Sequence, residues 1–439
     1  MSNTNVDGFA EMLDSGERVL LGDLDCSEGD AIPKRTKVEP YLAALLQVEH
    51  LNLLVGAGLS MGLVQKADNG NIFDMSKPLQ INDNELKKSI KKAARRSAQH
   101  TARGKPNLED YLRIAISAAE GLNHINEDAA NILQKAIDDA LEKIYSDILR
   151  TEYIIHDNAM STTTDGHSTR SLLTSFLASF AGRNPTRDRL HIFTTNYDRI
   201  LEWGAELLGL RIIDRFVGSL NPVFRSSQAQ IDYFYSPLGS VRDPRHLDGV
   251  FRLTKLHGSV DWIFQNSNKH VIRYPLPFAA YEHSSPPDAL ESAGHNSLII
   301  YPNAAKDLET TYFPFADLFR DFSAALCRPH SALVTYGYSF GDSHINRIIE
   351  DMLTIPSTHL LIISYDDKMS RIAQFVNSHH RSGQISLMLG HNMADLESLV
   401  DKWLPRPSSE FLLKQAVKIS QDRGIAFNTS ESDRHEELL

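Results

Sequence analysis

The segment that most constrains this chain is residues 53–60, where an apolar run leads into two closely spaced glycines and a hydroxyl, LLVGAGLS. This order is typical of a buried β-strand that enters a glycine turn and then a helix. The first glycine would permit the tight turn, and the second would let the backbone approach a phosphate at the helix N-terminus. The segment predicts a dinucleotide-binding turn at Gly56, Ala57, Gly58 and Ser60, although similar turns also occur in loops that bind nothing.

The rest of the chain alternates short apolar segments with helical patterns. The apolar segments predict strands at 51–55, 190–194, 252–256, 297–301, 332–336, 359–363 and 384–389. Continuous apolar runs of this length are typical of parallel strands that are buried on both faces. The predicted fold class is therefore α/β, with a Rossmann-like, doubly wound, mostly parallel sheet.

A large helical insertion is predicted between the first two strands, over residues 75–182. Within it, the polar residues 157–169 predict a loop. The helical patterns of the insertion lie at Asn84–Gln99, Leu108–Glu120, Ala129–Ile148 and Ser171–Phe180. Two later insertions, 211–250 and 264–296, contain several prolines, and at least the first is expected to be irregular.

The two ends of the chain are expected to lie outside the central fold. Residues 1–37 are polar and predict an N-terminal arm or a partner-binding segment. A helix at 39–50 then leads into the core domain, which is assigned to 38–405. Residues 406–439 predict one more helix and a polar tail.

Charge and cysteine content exclude some classes of function. The net charge is −11, so bulk electrostatics would repel nucleic acid and any such contact must be local. A local candidate is the basic segment Lys87–Arg96, which could equally be a solvated helix face. With only two cysteines the chain cannot build a four-cysteine zinc module, and no metal site is expected.

The sequence contains no apolar run long enough to cross a bilayer. Residues 1–14 are polar and acidic and lack the apolar region of a secretory signal. These observations predict a cytoplasmic protein without membrane contact.

Polar side chains follow the strand predicted at 190–194. Thr195, Asn196 and Asp198 come directly after its apolar residues. In an open α/β sheet the carboxyl ends of the strands form the ligand crevice, so an amide and a carboxylate there are candidates for catalysis. The alternative is that Asn196 or Asp198 only caps the following helix.

A histidine follows the strand predicted at 252–256. His257 is the best candidate for a general base among the 18 histidines, because imidazole exchanges protons near neutral pH. Gly258 would let a ligand come close. The alternative is a structural histidine that bonds to a carbonyl group.

Two more strands end in groups suited to a nucleotide. Gly337 and Ser339 follow the strand at 332–336 and could contact ribose or phosphate. Ser364 follows the strand at 359–363, where an adenine or its ribose could rest. Asp342 or Ser343 could instead only cap the next helix.

Taken in chain order, these motifs resemble the sirtuin-type NAD-binding domain. The matching elements are Gly56–Ser60, Thr194–Asp198, His257-Gly258 and Gly337–Ser339. The resemblance covers residues 50–400 and implies a Rossmann-like parallel sheet with a helical insertion. It also implies that NAD+ is bound at these loops.

Departures from sirtuin deacetylases point to one branch of that family. Met61–Val64 replaces their Pro-Asp-Phe-Arg element, and the chain lacks their four-cysteine zinc module. Tyr197 and the turn 337–342 look like the bacterial antiphage branch, whose members hydrolyse NAD. The resemblance thus implies an NAD+ glycohydrolase that depletes cellular NAD in antiviral defence, forms a homo-oligomer and works with a HerA-like ring ATPase.

In this interpretation Asn196, His257 and Asp198 are catalytic. The nucleotide-binding residues are Gly56, Ala57, Gly58, Ser60, Thr195, Gly337, Ser339 and Ser364. Two other classes remain open. The chain could be a catalytically silent scaffold that binds NAD or ADP-ribose for an ATPase, or an enzyme that acts on nucleic acid through the basic helix.

Overall fold

The computed structural model describes most of the chain between residues 18 and 405. The described ranges are 18–22, 24–25, 35–68, 77–100, 106–161, 168–227, 231–235, 245–265, 270–279, 297–299, 313–367, 369–379 and 382–405.

The helices of this part of the chain mostly alternate with its strands. They are α1 Arg35–Leu45, α2 Gly58–Asp68, α3 Asn84–His100, α4 Leu108–Leu122, α5 Glu127–Met160, α6 Thr169–Ala181, α7 Ile200–Leu208, α8 Phe315–Leu326, α9 Ser343–Leu353, α10 Arg371–Ser378, α11 His391–Ala394 and α12 Leu396–Ser398.

The strands are short, and the longest has eight residues. They are β1 Arg18–Leu21, β2 Leu24–Asp25, β3 His50–Val55, β4 His191–Thr194, β5 Arg211–Ile213, β6 Phe216–Val217, β7 Val223–Phe224, β8 Phe234–Tyr235, β9 Arg245–His246, β10 Val250–Lys255, β11 Gly258–Gln265, β12 His270–Arg273, β13 Ser297–Ile299, β14 Ser331–Tyr336, β15 His359–Ser364 and β16 Ile385–Leu389.

Within the described residues a nine-stranded sheet forms the centre of the fold, in the order β2-β1-β16-β15-β14-β3-β4-β10-β5. All its strands from β16 to β5 are parallel. In chain order β3, β4, β10, β14, β15 and β16 follow the 3-2-1-4-5-6 pattern of a Rossmann sheet. The predicted α/β class is confirmed, and the strand order reverses between β3 and β14.

Alternate residues of the central strands pack on opposite faces of the sheet. Leu53 and Val55 belong to one apolar cluster, with α1, α2, α6 and α7. Leu54 belongs to the other, with α8, α9 and α10. Burial on both faces explains why β3, β14 and β15 read as continuous apolar runs.

The region around the predicted second and third insertions contains a smaller sheet. In the described part of the chain this sheet is five-stranded, with the order β13-β11-β12-β7-β6. The expectation that 211–250 is irregular was wrong, because β5 joins the main sheet there and β6 and β7 join the small one. β13, within the strand predicted at 297–301, also lies in the small sheet and pairs antiparallel with β11.

The predicted insertion helices are present, with one large difference. The third runs over Glu127–Met160 instead of ending at Ile148, so residues 157–160 are helical and not part of a loop. Apolar residues of α3, α4 and the first half of α5 form a cluster of their own. Ile155 and Ala159, at the far end of α5, pack into the main core with α6.

Part of the predicted N-terminal arm belongs to the sheet. Residues 18–21 pair antiparallel with β16, and Val19 is fully buried. β1 gains backbone hydrogen bonds from β16 on one side and from β2 on the other, and an apolar contact, which a polar composition over 1–37 did not reveal. The helix predicted after Pro407 lies outside the described residues.

Among the helices that the structure describes, none combines the length and the apolar character needed to cross a membrane.

Candidate functional site

The glycine turn after β3 lies against the turn after β14. Gly58 N donates a 3.1 Å hydrogen bond to Gly337 O. A Cβ added to Gly56 would lie 2.4 Å from Gly337 O, and one added to Gly58 would lie 2.5 Å from Gly337 Cα. Gly337 has a φ of +61°, which favours glycine. Close packing of the two turns therefore requires these glycines, whether or not a phosphate is also bound.

Asn196 and Asp198 meet at the hydroxyl of Ser60, in the first turn of α2. Asn196 Nδ2 donates to Gly56 O at 3.1 Å and to Ser60 Oγ at 3.0 Å. Ser60 Oγ donates to Asp198 Oδ2 at 2.7 Å. Because Nδ2 makes both contacts, the amide is oriented with Oδ1 as its acceptor for a ligand. The structure thus joins the first and second predicted motifs.

The loop before Asn196 is fixed to the end of β3. Thr195 N donates to Val55 O at 3.3 Å. Thr194 Oγ1 donates to the same carbonyl at 2.8 Å and accepts from Asn196 N at 3.0 Å. These bonds hold the backbone of the second motif beside the glycine turn.

The capping alternative holds only for Asp198. Its Oδ1 accepts from Ile200 N at 3.3 Å, at the start of α7. Asn196 makes the loop contacts described above, and Arg199 occupies the N-cap position.

His257 lies in the turn between β10 and β11. β4 and β10 pair in parallel with Lys255 opposite Thr194, so Asn196 and His257 each lie two residues beyond the same paired position. Both side chains are buried, at 8% and 5% exposure. The amide and the imidazole, 61 positions apart, therefore lie at neighbouring strand ends on the carboxyl edge of the sheet.

Lys255 is a site residue that the sequence analysis missed. It is 3% exposed and its Nζ donates to Asp198 O, to Tyr197 O at 3.4 Å and to Glu202 Oε1 at 3.1 Å. Burial raises the pKa of Glu202, and the positive charge of Lys255 opposes that rise. A lysine within the apolar run Leu253–Leu256 was the available signal, because a buried cation requires partners.

A buried ion pair connects the insertion helix α5 to the loop. Arg199 Nη2 donates to Glu152 Oε2 at 2.6 Å, and Arg199 N donates to Glu152 Oε1 at 2.8 Å. Glu152 is fully buried, and desolvation raises the pKa of its carboxyl group while Arg199 opposes that effect. The insertion is thereby coupled to residues 195–199.

The remaining predicted residues follow β14 and β15, on the other side of the point where the strand order reverses. Gly337 N donates to Ile363 O at 3.2 Å, and Ser339 is exposed just beyond it. Ser364 is buried and its hydroxyl donates to Asp366 O at 2.8 Å, within its own loop. Asp342 occupies the N-cap position of α9, but its side chain makes no capping hydrogen bond there, so the alternative interpretation holds for its position only.

The basic helix α3 lies away from these loops, in the separate cluster with α4 and α5. Its cations are exposed, and Lys88 pairs with Glu85 at 2.9 Å. The exposed cations are Lys87, Lys88, Lys91, Lys92, Arg95 and Arg96. A contact between this helix and nucleic acid stays a prediction.

The fold and these loops define an α/β protein with a Rossmann-order sheet whose strand order reverses between β3 and β14, the position at which such sheets bind ligands. The family model described as the SIR2-like domain matches residues 190–382, a little under half of the chain. That segment contains Asn196, His257 and Gly337, and the Gly56–Ser60 turn lies outside it.

The chain is also similar to a solved structure described as "Sir2-p53 peptide-NAD+". The match covers 88% of this chain and 98% of that one, with 13% sequence identity and a TM-score of 0.33. No curated protein matches the chain. The fold assignment rests on the sheet topology itself.

Proposed function

We propose that this chain binds NAD+ and hydrolyses its nicotinamide–ribose bond, releasing nicotinamide and ADP-ribose. The observation that carries the proposal is the position of Asn196 and His257 at adjacent strand ends beside the Gly56–Gly58 turn. The match of residues 190–382 to the SIR2-like domain supports the choice of NAD+.

The nicotinamide ring of NAD+ is cationic, so it leaves without protonation. The barrier is mainly the formation of an oxocarbenium-like ribose, as in glycoside hydrolysis. The protein must therefore hold the ribose, stabilise a positive charge and position a water molecule.

The hydrogen bonds of the site suggest how its residues divide this work. Asn196 Oδ1 would accept from a ribose hydroxyl or from the attacking water. His257 would take a proton from the same hydroxyl or water, which is worth about 10²–10⁴ in rate. Asp198 would stabilise the developing cation, and Ser60 would act mainly by positioning Asn196 and Asp198.

The rest of the dinucleotide would lie along the glycine turns. Gly56, Ala57 and Gly58 would bind the pyrophosphate at the start of α2, where the helix dipole favours an anion. The adenosine half would extend toward β14 and β15, with contacts from Thr195, Gly337, Ser339 and Ser364.

We further propose that this activity serves antiviral defence by depleting NAD+, and that it is controlled by assembly as a homo-oligomer with a HerA-like ring ATPase. The Arg199–Glu152 pair supports control through the insertion, because it ties α5 to the catalytic loop. Mass measurement by light scattering, with and without the ATPase, tests the assembly. A monomer that is fully active alone would contradict this control.

The test of the function is incubation of the purified full chain with NAD+, followed by chromatographic detection of nicotinamide and ADP-ribose. Asn196→Ala and His257→Ala should each lose nearly all cleavage. Asn123→Ala and His124→Ala, at exposed positions after α4, are the matched controls and should retain it.

The outcome also separates the enzyme from a silent scaffold. Binding of NAD+ or ADP-ribose without release of nicotinamide, under all conditions including the presence of the ATPase, would favour the scaffold. Normal cleavage by both site variants would overturn the assignment of the catalytic residues.

A further inference from the structure

A cluster of potential metal ligands shares His257 with the candidate site. His257, Asp342 and His344 each have one potential ligand atom within 4.8 Å of the others. His257 follows β10, Asp342 is the N-cap of α9 and His344 lies in the first turn of α9. The fold therefore brings two imidazoles and a carboxylate together from two distant segments of the chain.

The surroundings of the three groups favour a defined geometry over a mobile surface cluster. His257 is 5% exposed, and Asp342 and His344 are half-buried. The ring centroids of His257 and His344 are 5.7 Å apart. The edge of Phe319 packs against His344 at 4.9 Å between centroids, which restrains the orientation of that imidazole.

We propose that His257, Asp342 and His344 form a binding site for a divalent transition-metal ion. Two imidazole nitrogens and one carboxylate oxygen are a donor set that suits Zn²⁺ and Fe²⁺. Such ions hold nitrogen and oxygen ligands at about 2.0–2.2 Å, so a bound ion would draw together three ligand atoms that already lie within 4.8 Å of one another. The site uses no cysteine and is distinct from the four-cysteine module that the composition excludes.

A bound ion would have a regulatory consequence that rests on the proposed function. An imidazole nitrogen of His257 that coordinates a metal cannot accept a proton at the same time. Occupancy of the site and cleavage of NAD+ would therefore exclude each other, and the ion would act as a reversible inhibitor.

Metal binding is tested without NAD+. The purified full chain is stripped with a chelator, dialysed and titrated with Zn²⁺ by calorimetry, and bound zinc is measured by atomic emission. The wild type should bind one ion per chain. His344→Ala and Asp342→Asn should each weaken binding by at least the roughly 10–100-fold that loss of an outer hydrogen-bonding partner costs. His124→Ala is the matched control and should bind like the wild type.

Equal Zn²⁺ binding by the wild type and by a folded His344→Ala would overturn the site, as would the absence of binding to the wild type. Circular dichroism establishes that each variant is folded. Titration with Co²⁺ adds a spectroscopic signature of nitrogen and oxygen ligation that the two site variants should lose.

A separate NAD+ assay tests the consequence. Zn²⁺ should inhibit the wild type and leave His344→Ala uninhibited, and equal inhibition of both would overturn the regulatory role. If the metal-free wild type releases no nicotinamide, either alone or with the ATPase, the proposed function fails while the binding result stands.

Discussion

The Ser60 hydroxyl donates a 2.7 Å hydrogen bond to Asp198 Oδ2 and so joins the first turn of α2 to the loop after β4. The same hydroxyl accepts from Asn196 Nδ2 at 3.0 Å. One small side chain thereby helps to orient both an amide and a carboxylate at the carboxyl edge of the sheet. Glycine turns of this kind often place a hydroxyl near a phosphate. Here the Ser60 hydroxyl also holds Asn196 and Asp198 in place through hydrogen bonds within the protein.

Replacement of Ser60 by alanine should therefore impair catalysis more than binding. Loss of a buried hydrogen-bonding group costs about 1–3 kcal/mol, which corresponds to a decrease in kcat of roughly 5- to 150-fold. Steady-state kinetics with NAD+ measure this change, with a smaller effect expected on KM. Ser179→Ala is the control, because that hydroxyl bonds to Ser175 O within α6. A large rise in KM with normal kcat would instead indicate direct binding of the dinucleotide.

The contact between the glycine turns predicts a strong effect on stability. Gly337→Ala would place a Cβ 2.5 Å from Gly58 Cα at a φ of +61°. We expect a loss of more than about 2 kcal/mol in the free energy of unfolding, since the clash is with backbone and the conformation is strained. Urea denaturation measures it.

The matched control for this substitution is Gly121→Ala in α4, where no described atom lies within 4 Å of the new Cβ. That change should leave stability unchanged or raise it by up to about 1 kcal/mol. Equal effects at the two glycines would show that the two turns do not pack as described.

The buried Arg199–Glu152 pair should be important for stability and for activity. Glu152→Ala leaves the guanidinium of Arg199 buried without its carboxylate partner, at an expected cost of about 3–5 kcal/mol. If the proposed function holds, NAD+ cleavage should fall as well, because Arg199 directly follows the loop that contains Asn196 and Asp198. Thermal and urea denaturation measure the first effect.

An exposed pair provides the comparison for Glu152. Glu85 pairs with Lys88 at 2.9 Å on the surface of α3, and Glu85→Ala should cost less than about 1 kcal/mol. A similar loss in both variants would mean that burial does not increase the contribution of the Glu152 ion pair to the free energy of unfolding.

Stability should depend on pH through His359. Burial lowers the pKa of His359 to about 4, and its Nε2 lies 2.8 Å from the hydroxyls of Tyr41 and Ser386. In the unfolded chain a histidine has a pKa of about 6.5. Between these values the unfolded state binds the proton and the folded state does not. The folded protein should therefore lose stability as the pH falls from about 6.5 to about 4.

Thermal unfolding between pH 7.5 and pH 4.5 measures this dependence. His359→Gln removes one titrating group and should reduce the slope, whereas His124→Gln at an exposed position should keep it. The remaining slope would come in part from His191, because burial lowers the pKa of that imidazole as well. A slope that is unchanged in His359→Gln would assign the pH dependence to other groups.

Most of the central strands could be predicted from the sequence because they are short segments of mainly apolar residues. The predicted 332–336 and 359–363 differ from β14 and β15 by single residues at an end. β6 and β7 could not be predicted, because two residues are too few to show an alternating pattern of apolar and polar side chains. β1 was missed because it has only four residues, so its apolar residues, of which Val19 and Leu21 are buried, form too short a run to predict a strand.

The candidate site was predicted in part for a similar reason. Asn196 and His257 each follow an apolar run, and the carboxyl ends of parallel strands meet at one edge of a sheet. Lys255 was overlooked because it lies inside such a run. Its role depends on contacts with Asp198 and Glu202, which no local pattern reports.

The sequence by itself determined the alternation of strands and helices and the positions of the glycine turns, because burial periodicity and backbone freedom are local properties. Only the tertiary structure decided that Gly58 packs on Gly337, that Ser60 bridges Asn196 and Asp198, and that His257 lies near His344. Those pairings depend on strand order and register. Strand order and register are set by the packing of the whole sheet, where residues far apart in the chain must fill a common core.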